Sequence, residues 1–164
     1  MLLLPNVYHK NVEQGLLTFG KKYKRFVKFL GTNDPIHINH PTKRMFPILY
    51  RPDVHFVTRV GKRYIFEILD SELKDDNLII SNILQACLSP NTSNVVFIVP
   101  REIDQDRVMD LALTVVDNLV IKGFHKNELP RVIAAFYILR KEAKTPEDVT
   151  EVLVRGAKDI GVIV

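Results

Sequence analysis

Two carboxylates stand inside sequence that otherwise reads as β-strand, and this pattern constrains the chain more than any other. Residues 51–58 and 62–69 are β-branched and aromatic runs bounded by Pro52 and Gly61. They predict a β-hairpin, with Pro52 at the strand entrance where no ladder donor is needed. Side chains alternate across a sheet, so Tyr64, Phe66 and Ile68 share one face and Ile65, Glu67 and Leu69 the other. The all-apolar face is the expected core side. An acid within a strand is disfavoured by propensity and costly to bury unpaired, so Asp53 and Glu67 ask for a reason. A divalent cation held between them is one.

Around this hairpin the chain reads as α/β. An apolar stripe at three- and four-residue intervals (Val12, Leu16, Phe19, Tyr23, Phe26, Val27, Leu30) predicts a helix over residues 6–30. An Asn-, Pro- and His-rich stretch follows, ending in a short strand over 44–50. His37 and His40 lie in that loop with no neighbouring Cys and no third His, a poor set for a metal. After the hairpin, Asp70-Ser71 offers a cap to a helix with Ile80, Ile83, Leu84, Cys87 and Leu88 inward, stopped by Ser89-Pro90. Residues 94–99 form an apolar run of strand length suited to burial on both faces. A helix over 104–122, a strand over 131–139, a helix capped by Thr145 with Pro146 at its first position, and a short terminal strand over 161–164 complete the pattern.

The 164 residues are expected to form a single domain with a real core. Lone Cys87 excludes an intramolecular disulfide and a thiolate zinc cluster, and its place on the apolar stripe makes it a packed thiol. The opening Met-Leu-Leu-Leu-Pro reads as too short for a signal peptide, and no apolar run reaches the length of a membrane span, so a cytoplasmic location is expected.

Charge divides unevenly. Residues 1–65 carry twelve Lys and Arg against three acids, and residues 66–164 carry eleven against sixteen. This asymmetry suggests a polyanion-facing surface in the first half, with Lys21, Lys22, Lys24, Arg25 and Lys28 on the first helix and Lys43, Arg44, Arg51, Arg59, Lys62 and Arg63 near the hairpin. The plainer account is a solvated basic helix end that favours the macrodipole.

Pro52-Asp53, thirteen intervening residues, then Glu67-Ile68-Leu69 resembles the PD-(D/E)XK nuclease signature, in which the Asp and the Glu lie on adjacent strands and bind Mg²⁺. The resemblance covers residues 6–100 and implies a restriction-endonuclease-like αβββαβ core. Residues 101–164 would then be an α/β extension or the surface of a homodimer. It implies Asp53, Glu67 and the backbone carbonyl of Ile68 as ligands of Mg²⁺ or Mn²⁺, with Asp70 as an extra ligand. Glu13 would be the metal-binding Glu of the first helix, or else a surface Glu. The family's lysine, two residues beyond the Glu, is Leu69 here. Lys74, at the start of the next helix, is the candidate replacement, and Gln85 on that helix is a secondary candidate. His55 shares a strand face with Asp53 and either lines the site or sits at a sheet edge.

The expected activity is metal-dependent hydrolysis of DNA phosphodiesters, with branched or structured DNA the substrate suggested by analogy with resolvase-like members. Mg²⁺ takes hard oxygen ligands and keeps several waters, so two carboxylates and a carbonyl suffice. The basic residues would hold the phosphate backbone without reading sequence. Two alternatives stand beside it. One is a catalytically inactive nuclease-like protein that binds nucleic acid or serves as an assembly subunit. The other is an unrelated α/β interaction module in which Asp53 and Glu67 are merely paired with strand arginines.

Overall fold

The computed structural model describes residues 6–38 and 48–162. Helix α1 (Val7–Lys22) leads into strand β1 (Val27–Thr32), and a small hairpin of β2 (Ile36–Ile38) and β3 (Ile48–Tyr50) precedes the central pair β4 (Val54–Thr58) and β5 (Arg63–Ile68). A 3₁₀ turn (Ser71–Lys74), α2 (Asp76–Leu88), β6 (Thr92–Val99), α3 (Glu102–Ile121), β7 (Val132–Tyr137) and α4 (Pro146–Arg155) follow. The main sheet has the order β1-β4-β5-β6-β7, with β4 antiparallel to β1 and β5, and β5, β6 and β7 parallel. Among the described residues, no helix is long and apolar enough to cross a membrane.

Both faces of the sheet are covered. Tyr64, Phe66 and Ile68 pack with Val96 and Ile98 against Val12, Leu16 and Phe19 of α1 and Val149 and Leu153 of α4. Ile65 and Leu69 pack with Val95, Phe97 and Val99 against Ile79, Ile83 and Cys87 of α2 and Val108 and Ala112 of α3. Burial on both faces explains why β5 and β6 read as nearly unbroken apolar runs. It also corrects the expectation that one face of β5 alone is core: Glu67 shares the second buried face and is only 5% exposed.

The strand expected over 51–58 begins only at Val54, which leaves Asp53 in the bend before it rather than inside the strand, and the stretch expected as loop contains β2. Three further boundaries differ from the sequence reading, each for a local reason. The helix expected over 6–30 stops at Lys22, and Val27–Thr32 is strand. One residue of β4 faces two of β1 between Val27 and Phe29, a bulge at Lys28. The bulge breaks strand alternation and leaves an apolar spacing that imitates a helix. The strand expected over 44–50 begins outside the described residues; its visible part, β3, pairs with β2 and leaves the place in the main sheet to β1. The terminal strand expected over 161–164 is not formed at Gly161, which lies in a turn with φ +79°, and residues 163–164 lie outside the described set.

The α2 cap also moves. Asp75, not Asp70, accepts from the backbone N–H of Asn77 at 2.9 Å, and the buried stripe is Ile79, Ile83, Ala86 and Cys87, with Leu84 exposed. Thr145 caps α4 as expected, accepting from the Asp148 N–H at 3.2 Å. α1 and α4 approach closely because Gly15 has no side chain: a Cβ there would lie 2.5 Å from Val149 Cγ1. The buried Thr150 hydroxyl donates across this contact to the Gly15 carbonyl at 3.1 Å.

Candidate active site at the carboxyl ends of the strands

In the β4–β5 ladder Val54 lies opposite Phe66 and His55 opposite Ile65. Asp53 lies in the bend just before β4 and Glu67 just beyond Phe66 on β5, so both acids stand past the last ladder pair, at the end of the sheet where parallel strands β5, β6 and β7 finish. Open α/β sheets commonly bind ligands at that end. Asp53 is held from two sides: its Oδ2 accepts from the Ile68 N–H at 2.8 Å, and its Oδ1 lies 3.2 Å from His9 Nε2. The Asp53 bond raises the pKa of His9, and because a carboxylate oxygen accepts, the ring donates from Nε2. His9 Nδ1 lies 4.0 Å from Glu13 Oε2, one helical turn along α1.

Glu67 is the most confined acid of the group. Tyr50, carried in by the β2–β3 hairpin, donates its hydroxyl to Glu67 Oε1. Burial, with Asp53 next, raises the Glu67 carboxyl well above its ordinary range, and the Tyr50 hydrogen bond only partly opposes this. Among the described residues no Lys, Arg or His forms an ion pair with Glu67. Glu72, in the 3₁₀ turn, adds negative charge felt by both His9 and Glu67, while its Oε2 accepts from the Asp70 N–H at 3.1 Å.

The remaining expected site residues scatter. Asp70 is occupied elsewhere: Asn6 Nδ2 donates to its Oδ2 at 2.6 Å and Arg140 pairs with its Oδ1, so it ties α1 to the end of β7. Lys74 is exposed at the end of the 3₁₀ turn and makes no side-chain hydrogen bond or ion pair among the described residues. Leu69 is fully buried in the α2–α3 side of the core, so the lysine position of the motif is used for packing. His55 turns to the edge strand, its ring 5.3 Å from that of Phe29, and burial followed by Arg63 lowers it to about 4. Gln85 is half-buried on α2, and its backbone carbonyl accepts from the Ser89 hydroxyl at 2.9 Å.

The basic residues gather mostly at the other end of the sheet. α1 starts beside Asp53, and Lys21, twelve residues beyond His9, stands about 18 Å further along the axis. β4 carries the chain from Asp53 to Arg59, six residues at roughly 3.3 Å each, or about 20 Å. Arg59 donates to the carbonyls of Arg25 at 2.9 Å and Lys24 at 3.1 Å, and Arg63 to that of Pro90 at 2.9 Å. Lys22, Lys24, Arg25, Lys28 and Lys62 are exposed in the same region. Arg51 stays near the acids, donating to the Asn33 carbonyl at 3.1 Å, and Lys43 and Arg44 lie outside the described residues.

The donors present suit a small hard cation in one respect: two carboxylates converge, one of them buried without a counter-charge, and Mg²⁺ needs few protein ligands. Among the described residues no set of three or more His, Cys, Asp and Glu side chains is arranged to enclose a metal ion. His9, Tyr50 and Glu72 were not singled out from sequence. The His9–Glu13 spacing of four on a helix was a usable signal, whereas Tyr50 reaches Glu67 only through the fold of the hairpin. Comparison with protein-family models, with curated proteins and with solved structures finds no match to this chain.

Proposed function

We propose that this chain is a divalent-cation-dependent phosphodiester hydrolase of the PD-(D/E)XK type, acting on nucleic acid and on DNA foremost. The observation that carries the reading is the approach of Asp53, in the bend before β4, to buried Glu67 at the carboxyl end of β5, where its charge helps raise the Glu67 carboxyl. The order α1, β1, β4, β5, α2, β6 supports it, being an αβββαβ succession with one small hairpin inserted after its first strand.

Asp53, Glu67 and the Ile68 carbonyl would hold Mg²⁺ or Mn²⁺, which when bound supplies charge neutralisation at the phosphoryl group and an acidified water. Tyr50 orients Glu67 by its hydrogen bond. His9 holds a proton at Nε2 against Asp53 and is the titratable group best situated to exchange it with solvent or substrate, a task the absent lysine cannot perform.

A second reading, a catalytically silent nucleic-acid-binding or assembly subunit, is favoured by the burial of Leu69 and by the remoteness of the basic cluster from the acids. A labelled panel of single-stranded, duplex and four-way-junction DNA, incubated with Mg²⁺ and then Mn²⁺, separates the two. Cleavage abolished by Asp53→Ala and strongly reduced by His9→Ala is expected of the hydrolase. No cleavage by wild type with either metal, or cleavage that survives Asp53→Ala, overturns it; salt-sensitive DNA binding without cleavage moves the assignment to the silent protein.

A further inference from the structure

The end of the sheet remote from the acid pair contains a cleft of about 470 Å³, within the size range of small-molecule sites. Three exposed cations line it from distant parts of the chain: Lys62 from the β4–β5 turn, Lys126 from the short 3₁₀ turn after α3, and Arg131 just before β7. Among the described residues none of the three forms an ion pair, and no Asp or Glu lines the cleft. Thr92, at the start of β6, also lines it, and its buried hydroxyl oxygen has no hydrogen-bond partner among the described residues. Phe26 and Leu129 supply apolar wall beside these groups.

Like charges gathered around one concavity repel, and low-dielectric walls focus their field into it. The group that relieves this arrangement is a compact anion of high charge with several acceptor oxygens. A phosphate monoester carries close to two negative charges at neutral pH and three strong acceptor oxygens. Arg131 offers a planar fork to two such oxygens, and the lysines act as point charges. A phosphodiester has one charge and two free oxygens, a poorer match to three cations.

We propose that this cleft binds a phosphate monoester, with Lys62, Lys126 and Arg131 on the phosphoryl oxygens and the Phe26 and Leu129 side against the esterified group. The site is separate from Asp53 and Glu67 and does not rest on the hydrolase reading. The monoester has two sources, a free small molecule or the 5′-phosphorylated end of a nucleic-acid strand.

Amide chemical-shift titration of the full chain distinguishes them, with AMP, adenosine, a 5′-phosphorylated dinucleotide and its 5′-hydroxyl counterpart as probes. Both phosphorylated probes are expected to shift the amides of Lys62, Thr92, Asn127 and Arg131 saturably at millimolar concentration or below, and both unphosphorylated probes to leave them in place. Lys126→Ala and Arg131→Ala, at exposed positions where folding is not at stake, are each expected to weaken binding about fivefold or more, equivalent to one charge-assisted contact. Asp53→Asn leaves it unchanged. Tighter binding of AMP identifies the free small molecule as the source, and tighter binding of the phosphorylated dinucleotide identifies the strand end. Absence of saturable shifts at these amides, equal shifts with the hydroxyl counterparts, or indifference to both substitutions overturns the proposal.

Discussion

Tyr50 donates its hydroxyl to Glu67 in a nearly dry setting, so a carboxyl at the centre of the candidate site is fastened by a residue of the inserted hairpin rather than by the sheet that carries it. Glu67 is thereby oriented without being charge-compensated. Its protonation and the stability of the fold are consequently linked.

Glu67→Gln tests that linkage. The folded-state pKa of Glu67 lies above its ordinary value of 4.5, so between that value and the raised one the folded chain holds a proton that the unfolded chain has released. Stability from this group is complete below about pH 4.5 and is lost as pH rises through the folded value. The amide is expected to melt higher than wild type at pH 7.5 and to converge with it near pH 4. Mg²⁺ is expected to raise the melting temperature of wild type and not of the variant. Tyr50→Phe is expected to cost about 1–3 kcal/mol by leaving the buried carboxyl without its donor. Thermal melts at both pH values check all three.

His55 predicts the opposite slope. Its ring is held neutral down to about pH 4, against an ordinary value of 6.5, so the unfolded chain binds the extra proton first. The stability it contributes is present above about pH 6.5 and is lost as pH falls toward 4. His55→Leu is expected to gain on wild type progressively between pH 7 and pH 4.5, read as the difference in urea midpoints. A constant difference across that range would remove His55 as the source.

Gly15→Ala is expected to destabilise by about 1–3 kcal/mol even though alanine is the better helix former, because the added methyl meets Val149 in the α1–α4 contact. The paired change Gly15→Ala with Val149→Ala is expected to recover part of the loss. Chemical denaturation of the two singles and the double closes the cycle.

Arg59 and Lys24 separate structure from charge at the basic end. Arg59→Ala removes two hydrogen bonds that hold the reversal from α1 into β1, and is expected to cost about 1–2 kcal/mol. Lys24→Glu is expected to change stability by no more than about 0.5 kcal/mol. It should instead flatten the salt dependence of any nucleic-acid binding, measured by fluorescence anisotropy over a salt series.

The hairpin was legible because turn chemistry and alternation are local: Pro52 and Gly61 bound two runs, and β4 and β5 form where those runs lie. Of the two acids expected inside strands, Glu67 lies within β5, whereas Asp53 lies in the bend before β4. The α4 cap at Thr145 and the burial of Cys87 were likewise readable, since both depend on spacing within one element. β1 was misread because a bulge at Lys28 gives a strand the apolar spacing of a helix. Asp70 looked available to a metal because nothing in the sequence says that Asn6 and Arg140 will claim it.

The sequence by itself determined the α/β class and the hairpin, because hydrophobic period and turn residues act over a few neighbouring residues. Only the tertiary structure decided that His9 and Tyr50 meet Asp53 and Glu67 and that the basic residues gather about 20 Å away. It also decided that Lys126 and Arg131, from the acidic half of the chain, join Lys62 at one cleft. The physical reason is direction. Local pattern says which side of an element a residue faces, but the sense in which each helix and strand runs across the sheet decides which end of the molecule its charges reach.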